Sequence, residues 1–426
     1  MTHLRLSAML FLLLGICANA QVPAGNYTPG EHHLYSHEAG NVPADTYQYA
    51  LYVPEDYKPD HHYPVVFFLH GGDGRNHPRE ATRNLVADRL LENKRWTAPG
   101  YSGNIPSHFG HGYLHVAPVK PGTHWEADKF KRLLDHVKGK VNIDANRVYV
   151  IGGYGMGGQG AWQVASTADP ECRIAAIMPI GAWGCDEVER GTTRETCLTK
   201  KTAVWVQHHP SDQSSKISEQ IPLYQNHLDC GGYGRFTMSP GRGFDWPANA
   251  DSRILDLRME WLLSQSYGTP ANYFVQVDGG IVLEYVSGER GSIGDSARHG
   301  FFEPGSVIRI TAPETRDGKP FVKWACPTGK FADPAARTAV YTTGEGDAQI
   351  MPIYGTGPVK LSVAGGTAKP AAPQPGESVT VTADGDSFLH WTTGQRIDIP
   401  HPHQRSFTFT MPSRDVTFTA KSSAAE

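Results

Sequence analysis

The chain has 426 residues, of which 39% are hydrophobic and 19% are charged, and this composition is that of a globular protein rather than a disordered one. The length exceeds that of one ordinary domain, so we expect two or three domains. The formal net charge of −4 at pH 7 provides no basic surface of the kind that nucleic acids require. The sequence therefore argues against a nucleic-acid-binding protein.

The first twenty residues have the order of a secretory signal peptide. Arg5 precedes an apolar run from Ala8 to Ile16, and the small residues Ala18 and Ala20 form a cleavage site. The apolar run is too short to span a bilayer, and no other long apolar stretch follows. We expect a mature chain that begins near Gln21, does not insert into a membrane, and is secreted or periplasmic in a bacterium.

Six cysteines occur, and five remain if cleavage removes Cys17. Some pairing is expected in an exported protein, although an odd count leaves one thiol unpaired. Cys185 with Cys197 is our first pairing prediction. No C-x-x-C pair occurs, and the clusters among the 20 histidines lie in Gly- or Pro-rich stretches without helical spacing, so we expect no metal site. These clusters are His32 with His33, His61 with His62, His108 with His111, and His401 with His403.

The segment from about residue 45 to 265 alternates apolar runs with helical patterns, which is typical of an α/β domain whose mostly parallel sheet is covered by helices. Helical spacing occurs around Phe130 to Val137 and around Ile254 to Leu262. The predicted strands are Tyr47 to Val53, Val65 to Leu69, Tyr113 to Ala117, Arg147 to Ile151, Ile174 to Ile180 and Ala203 to Val206.

After Pro270 the composition changes to short alternating strands rich in Gly, Pro and Thr, and an internal repeat appears. The pair Phe321 and Trp324 returns as Phe388 and Trp391, with further V-x-G-G, P-G and V-T-A echoes. These copies, 269–355 and 356–426, resemble bacterial repeat modules related to the internalin B-repeats. We interpret the four aromatic residues as core residues rather than a sugar-binding surface.

The run from Val148 to Trp162 fits two patterns. Its glycines satisfy G-x-G-x-x-G, the dinucleotide-binding turn, but at least three strands precede it and no acidic residue closes the next strand. The same run fits a nucleophile elbow, G-x-S-x-G, with Gly155 where the serine belongs. The elbow is the better interpretation, and no cofactor is expected.

Two further features of the elbow interpretation are present. Upstream, an apolar strand ends in the glycine-rich run that contains Gly71 and Gly72, whose backbone N–H groups, with that of Met156, are candidates for an oxyanion hole. Downstream, Asp212 follows a strand at the place of a triad acid.

With these motifs, residues 21–268 resemble the secreted esterase and predicted-peptidase branch of the α/β-hydrolases, which includes feruloyl esterase-like and polyhydroxybutyrate depolymerase-like enzymes. The resemblance implies a triad at positions 155, 212 and 244. Gly155 and Phe244 stand where that family has the serine and the histidine. Neither residue can perform the chemistry of the one it replaces.

The leading hypothesis is therefore a non-catalytic binding protein for an acylated polysaccharide, a polymer or a surface partner. A second hypothesis keeps an active carboxylic-ester hydrolase with a relocated nucleophile. Its candidate residues are Ser102, Ser107 and Ser239, with His108, His111 or His115 as the base. A third hypothesis is an adhesion or structural protein that acts through its β-repeats.

Overall fold

The computed structural model describes residues 27–71, 112–120, 124–166, 171–183, 197–210, 212–238, 252–268, 271–278, 282–287, 291–293, 298–355 and 357–422. The signal peptide expected at residues 1–20 lies outside these ranges. Within them, no helix has the length and apolar character needed to cross a membrane.

An eight-stranded sheet forms the first part of the fold. Its strands are β1 (His32–Tyr35), β2 (Gln48–Tyr52), β3 (Tyr63–Leu69), β4 (Leu114–Val119), β5 (Ile143–Gly152), β6 (Ile174–Pro179), β7 (Ala203–His208) and β8 (Gly234–Met238). Their order in the sheet is β1-β2-β4-β3-β5-β6-β7-β8. Strands β1, β2 and β4 pair antiparallel, and the neighbours from β4 through β8 pair in parallel.

Four helices flank this sheet among the described residues: α1 (Ala127–Lys138), α2 (Met156–Ala165), α3 (Ile217–Asp229) and α4 (Ser252–Ser264). The helix α1 buries Phe130, Leu133, Leu134 and Val137, an apolar stripe at helical spacing. One core contains this stripe, alternate residues of β3, and buried side chains of α2 and α3. The other alternate residues of β3 share a second core with α4. The sheet is therefore covered on both faces, as its apolar strands require.

All six strands predicted from apolar runs are present, with bounds shifted by up to four residues. The sequence patterns do not predict β1, β8 or α3. Helix α3 contains Pro222, which usually argues against a helix interior, and two of its buried side chains, Gln220 and His227, are polar. Packing of Leu223 and Tyr224 into the core overrides this weak local preference.

The described residues that follow α4 contain strands and turns but no helix. Strands β9 (Tyr273–Val277), β10 (Val282–Ser287), β11 (Gly291–Ile293), β12 (His299–Phe302), β13 (Val307–Thr311), β14 (Thr315–Arg316), β15 (Lys319–Ala325), β16 (Lys330–Phe331), β17 (Thr338–Thr342) and β18 (Ala348–Tyr354) form two sheets. Strands β19 (Leu361–Ala364), β20 (Gly366–Lys369), β21 (Ser378–Ala383), β22 (Phe388–Thr393), β23 (Ser406–Thr410) and β24 (Val416–Ser422) form two three-stranded sheets.

Strands β9–β18 form the first β segment, and strands β19–β24 form the last β segment. The two segments contain similar local contacts at the positions of the sequence repeat. The rings of Phe321 and Trp324 lie 5.4 Å apart, and those of Phe388 and Trp391 lie 5.5 Å apart. Each tryptophan is only 2% exposed, and each donates its backbone N–H to the oxygen of a proline further along the chain. Both tryptophans therefore serve packing.

Arg235 on β8 joins the sheet to both β segments. Its guanidinium contacts the carboxylates of Asp347, at the start of β18, and Asp398, before β23, the latter at 2.7 Å. The backbone N–H of Phe236, also on β8, donates to Pro400 O at 2.9 Å. Because β8 is an edge strand, this loop of the last segment covers part of its open edge.

The predicted Cys185–Cys197 pair is wrong. Cys197 forms a disulfide with Cys230, just after α3, and Cys185 lies outside the described residues. Thirty-three residues separate the two bonded cysteines, so the pairing depends on how α3 packs rather than on sequence proximity. Of the other described cysteines, Cys172 and Cys326 are not in disulfides.

Candidate functional site

A sharp turn joins β5 to α2 at the carboxyl edge of the sheet. Gly155 precedes the first residue of α2 and has φ 69° and ψ −104°, a conformation that residues with side chains rarely adopt. Its N–H donates to Gly181 O, and its carbonyl accepts from Gln159 N. The turn has the strand–turn–helix form of a nucleophile elbow, and position 155 is where that elbow carries its nucleophile.

The glycines around position 155 allow very close backbone contact. A Cβ on Gly157 would lie 2.1 Å from Leu69 O, and one on Gly152 would lie 2.3 Å from Gly157 O. Among the described residues, a Cβ on Gly155 would instead meet only Ser215 Oγ at 3.7 Å and Trp183 at 4.0 Å. The turn therefore has room for a side chain at position 155, although its backbone conformation favours glycine.

The end of β3 lies against this turn. Gly153 donates its N–H to Leu69 O, and a Cβ on Gly71 would collide with Tyr154 O at 2.2 Å. The structure thus brings Gly71 and Met156 to the same edge of the sheet. Gly72 lies outside the described residues, and the oxyanion hole stays a prediction.

Asp212 lies close to the elbow, as the triad interpretation expects. Its Oδ1 accepts three hydrogen bonds, from the Tyr154 hydroxyl at 2.8 Å, Ser214 N at 2.8 Å and Ser215 N at 3.0 Å. Its Oδ2 is buried and makes no hydrogen bond with any described residue. The carboxyl group is therefore held rigidly through one oxygen while the other has an unused acceptor capacity.

Burial and the neighbouring Asp212 carboxylate raise the pKa of Tyr154 to about 12. The hydroxyl consequently stays protonated at neutral pH and donates to Asp212. Tyr154 directly precedes Gly155, so the elbow itself supplies a donor to the acid.

His208, at the end of β7, is 1% exposed and its Nδ1 lies 2.8 Å from His209 O. Burial lowers the pKa of His208, which keeps the imidazole neutral at neutral pH. The ring faces backbone carbonyls of His209 and Ala182, so it is held as part of the strand end.

Of the other candidates from the sequence, only His115 lies within the described residues. His115 pairs with Val66 in the middle of β3, three residues before that strand ends, and its role as a base for a relocated serine stays a prediction. The other positions lie outside the described residues: Phe244, Ser102, Ser107, Ser239, His108 and His111.

Sequence reasoning missed Tyr154 and Ser215 at the site. Tyr154 was visible as the residue before the elbow glycine, but nothing local indicated that it reaches Asp212, 58 positions away. Ser215 lies two residues before α3, a helix that the analysis also missed.

Residues 359–425 match the family model of the divergent InlB B-repeat domain. This match covers the last of the two β segments. No curated protein matches the chain.

Several solved esterase structures resemble about half of the chain. A thermostable esterase is 26% identical over 55% of this chain and 63% of its own, with a TM-score of 0.37. The match thus spans less than two thirds of that esterase. A ferulic acid esterase is 16% identical over 51% of this chain and 89% of its own, with a TM-score of 0.33. The esterase Est2 of Thermogutta terrifontis is 16% identical over 55% of this chain and 92% of its own, with a TM-score of 0.37.

Likeness at this level does not indicate a shared activity. The architecture rests on the structure itself: a sheet covered on both faces with a strand–turn–helix elbow at its carboxyl edge, the arrangement of α/β-hydrolases. An all-β region that ends in a B-repeat domain follows it.

Proposed function

We propose that this chain is an exported bacterial protein of the esterase-like α/β-hydrolase type that has lost its nucleophile and base and now binds ligands without hydrolysing them. The ligand is an acylated polysaccharide, a polymer or a surface partner, held at the former substrate cleft. In this proposal residues 21–268 form the hydrolase-like domain, and 269–355 and 356–426 are two β-repeat modules.

The observation that carries the proposal is that glycine occupies the elbow at position 155 while the acid, Asp212, is still present close to it. Glycine stands at the elbow in the strained conformation of a nucleophile, yet it has no atom with which to attack a carbonyl carbon. The Asp212 oxygen that has no described partner is what remains when a triad acid loses its histidine. Phe244, at the position of that histidine, has no lone pair with which to accept a proton.

The disulfide supports the exported location. Cys197–Cys230 is a bond that persists in oxidising compartments such as the periplasm or the cell exterior. This agrees with the signal peptide predicted at residues 1–20.

The test is ester hydrolysis by the mature protein beside its Gly155→Ser/Phe244→His variant, with p-nitrophenyl acetate and a feruloyl ester as substrates. We expect no turnover by the natural chain and measurable turnover by the double variant, because the elbow has room for a serine side chain. The Gly155→Ala/Phe244→His variant is the matched control, since it adds the same Cβ strain without a hydroxyl.

Turnover by the natural chain, together with labelling by a fluorophosphonate probe, would contradict the proposal and indicate a relocated nucleophile. A glycan array of cell-wall and plant polysaccharides tests the binding half. Absence of binding to every polysaccharide on it would reject the glycan form of the proposal.

A further inference from the structure

We propose that Asp212 and Ser215 form a hydroxyl-recognising subsite beside the elbow, which binds a saccharide hydroxyl group of the ligand next to the indole ring of Trp183. The inference rests on the proposed binding function and specifies its ligand chemistry. Neither Ser215 nor Trp183 is a member of the catalytic triad that the proposed function regards as lost. The subsite therefore includes residues beyond the triad positions.

Asp212 supplies the acceptor. Three donors already hold Oδ1, so the orientation of the carboxyl group is set before any ligand arrives. Oδ2 is buried and has no hydrogen bond with the described residues. An unsatisfied buried carboxylate oxygen destabilises the folded chain, and a ligand that donates a hydrogen bond to it would remove that cost.

Ser215 supplies a hydroxyl. The residue is 1% exposed, and its Oγ also lacks a hydrogen bond with the described residues. The oxygen lies 3.7 Å from the place of a Cβ on Gly155, which puts it beside the position of the lost nucleophile. The Tyr154 hydroxyl donates to Asp212 at 2.8 Å, and the nearby side chains of Ser215 and Ser214 also act on it as hydrogen-bonding groups, which opposes the rise in its pKa.

Together these groups select a class of ligand. A carboxylate accepts but does not donate, whereas a serine hydroxyl does both, so the pair matches a group that donates one hydrogen bond and accepts another. A sugar hydroxyl has this property. A carboxylate or phosphate ion does not, because Asp212 would repel its negative charge.

The indole ring of Trp183 completes the subsite. It lies 4.0 Å from the Gly155 Cβ position, and both Trp183 and Asp212 are partly exposed. An aromatic face beside a few fixed polar groups is the usual composition of a site for a small polar ligand. The apolar face of a sugar ring fits against such a surface.

The first test needs no ligand. Ser215→Ala removes a buried hydroxyl that makes no hydrogen bond of normal distance and angle with the described residues, so we expect the melting temperature of the ligand-free protein to stay unchanged or rise. Ser166→Ala is the matched control, because Ser166 is also buried but donates its hydroxyl to Gln163 O. We expect that control to melt at a lower temperature. A fall for Ser215→Ala equal to that of the control would assign the hydroxyl a structural partner and overturn the proposal.

The second test changes the acceptor alone. Asp212→Asn retains an oxygen for the three bonds at Oδ1 and replaces Oδ2 with an N–H donor. On an array of cell-wall and plant glycans, we expect at least about tenfold weaker binding for this variant, the effect of one lost hydrogen bond to a charged group. Asp333→Asn is the control, since Asp333 likewise accepts a backbone N–H, from Ala335, but lies on the surface of the first β segment.

The outcomes separate the subsite from the proposed function. Gly155→Leu fills the space beside Ser215; its folding is checked by circular dichroism, and Gly155→Met, which is unbranched at Cβ, replaces it if leucine is not tolerated. Binding that is lost in this variant but unchanged in Asp212→Asn would overturn the subsite and retain the binding function. Binding unchanged in both variants, or no binding by the natural chain, would overturn both. Sodium acetate is the anion control, and competition by acetate would also contradict a hydroxyl-recognising site.

Discussion

The Tyr154 hydroxyl donates a 2.8 Å hydrogen bond to Asp212 Oδ1, which connects the residue before the elbow glycine to the loop that follows β7. Tyr154→Phe removes this donor while retaining the ring. A hydrogen bond to a charged group contributes about 1.5 to 3 kcal/mol, and partial exposure here favours the lower end of that range. Urea unfolding should therefore show a lower free energy of unfolding for Tyr154→Phe than for the natural chain.

Tyr267→Phe is the control for this prediction, because the Tyr267 hydroxyl has no hydrogen bond with the described residues. Equal stability of the two variants would show that the Tyr154–Asp212 contact contributes nothing to folding.

The second prediction concerns the glycines of the elbow. Gly157→Ala places a Cβ 2.1 Å from Leu69 O, a backbone atom that cannot rotate away. We expect the free energy of unfolding to fall by about 1 to 3 kcal/mol, the usual cost of overpacking. Gly394→Ala, where a Cβ meets nothing within 4 Å, should leave the unfolding midpoint nearly unchanged. A Gly157→Ala variant as stable as that control would mean that the end of β3 does not pack against the turn as described.

Arg235 is the subject of the third prediction. Its side chain is 7% exposed and contacts the carboxylates of Asp347 and Asp398 from both β segments. Arg235→Met leaves these acidic groups without their cation, and breaking such a buried pair costs about 3 to 5 kcal/mol. The exposed Arg309–Glu284 pair gives the comparison, since Arg309→Met should cost less than about 1 kcal/mol.

Deleting residues 270–426 would distinguish cleft binding from binding by the β segments, and the contact of Arg235 affects that experiment. The deletion removes both acidic partners of Arg235 and uncovers part of β8. The deletion is therefore combined with Arg235→Met, because this substitution removes the buried positive charge together with its acidic partners.

The fourth prediction is a loss of stability in acid. Burial, reinforced by His403 and Arg235, lowers the pKa of His401 to about 3, and burial lowers that of His403 to about 4. His401 accepts a hydrogen bond from the Tyr224 hydroxyl through its Nδ1, which requires a neutral ring. Both histidines contact Tyr224 on α3, so protonation would place charge between the last β segment and the sheet.

The sign follows from the lowered pKa values. In the unfolded chain, His401 and His403 bind protons as the pH falls below about 6.5, whereas in the folded chain they do not. The stability that comes from burying these histidines in the neutral form is therefore fully present above about pH 6.5 and decreases as the pH drops toward about 4. The His401→Gln/His403→Gln variant should lose less stability between pH 7.5 and 4.5 in urea titrations. His61→Gln, at an exposed position, should follow the natural chain. Parallel curves for all three proteins would rule out these groups as the cause.

The fifth prediction concerns the disulfide. Cys197→Ala/Cys230→Ala removes a bond between cysteines 33 positions apart. This change should lower the free energy of unfolding by about 2 to 5 kcal/mol, measured under non-reducing conditions. Cys172→Ala, at a buried cysteine that is not in a disulfide, controls for the loss of sulfur packing. Equal midpoints for the two proteins would contradict the assigned pairing.

The strands and the elbow glycines were predictable because they depend on local patterns. Apolar runs such as Val65 to Leu69 predict buried parallel strands, and helix α1 has its apolar stripe at the spacing that a helix imposes. Helix α3 was missed because Pro222 and its polar residues obscure that spacing, and only packing against the core identifies it.

The sequence by itself determined where chain segments are apolar, where glycine is required, and that position 155 has no nucleophile. Only the tertiary structure decided that Cys197 bonds Cys230, that Ser215 lies beside Gly155, and that Arg235 joins three parts of the chain. The physical reason is range. Secondary structure depends on neighbours within a few residues, whereas these contacts join groups 33 to 163 positions apart, which only the packing of the whole fold brings together.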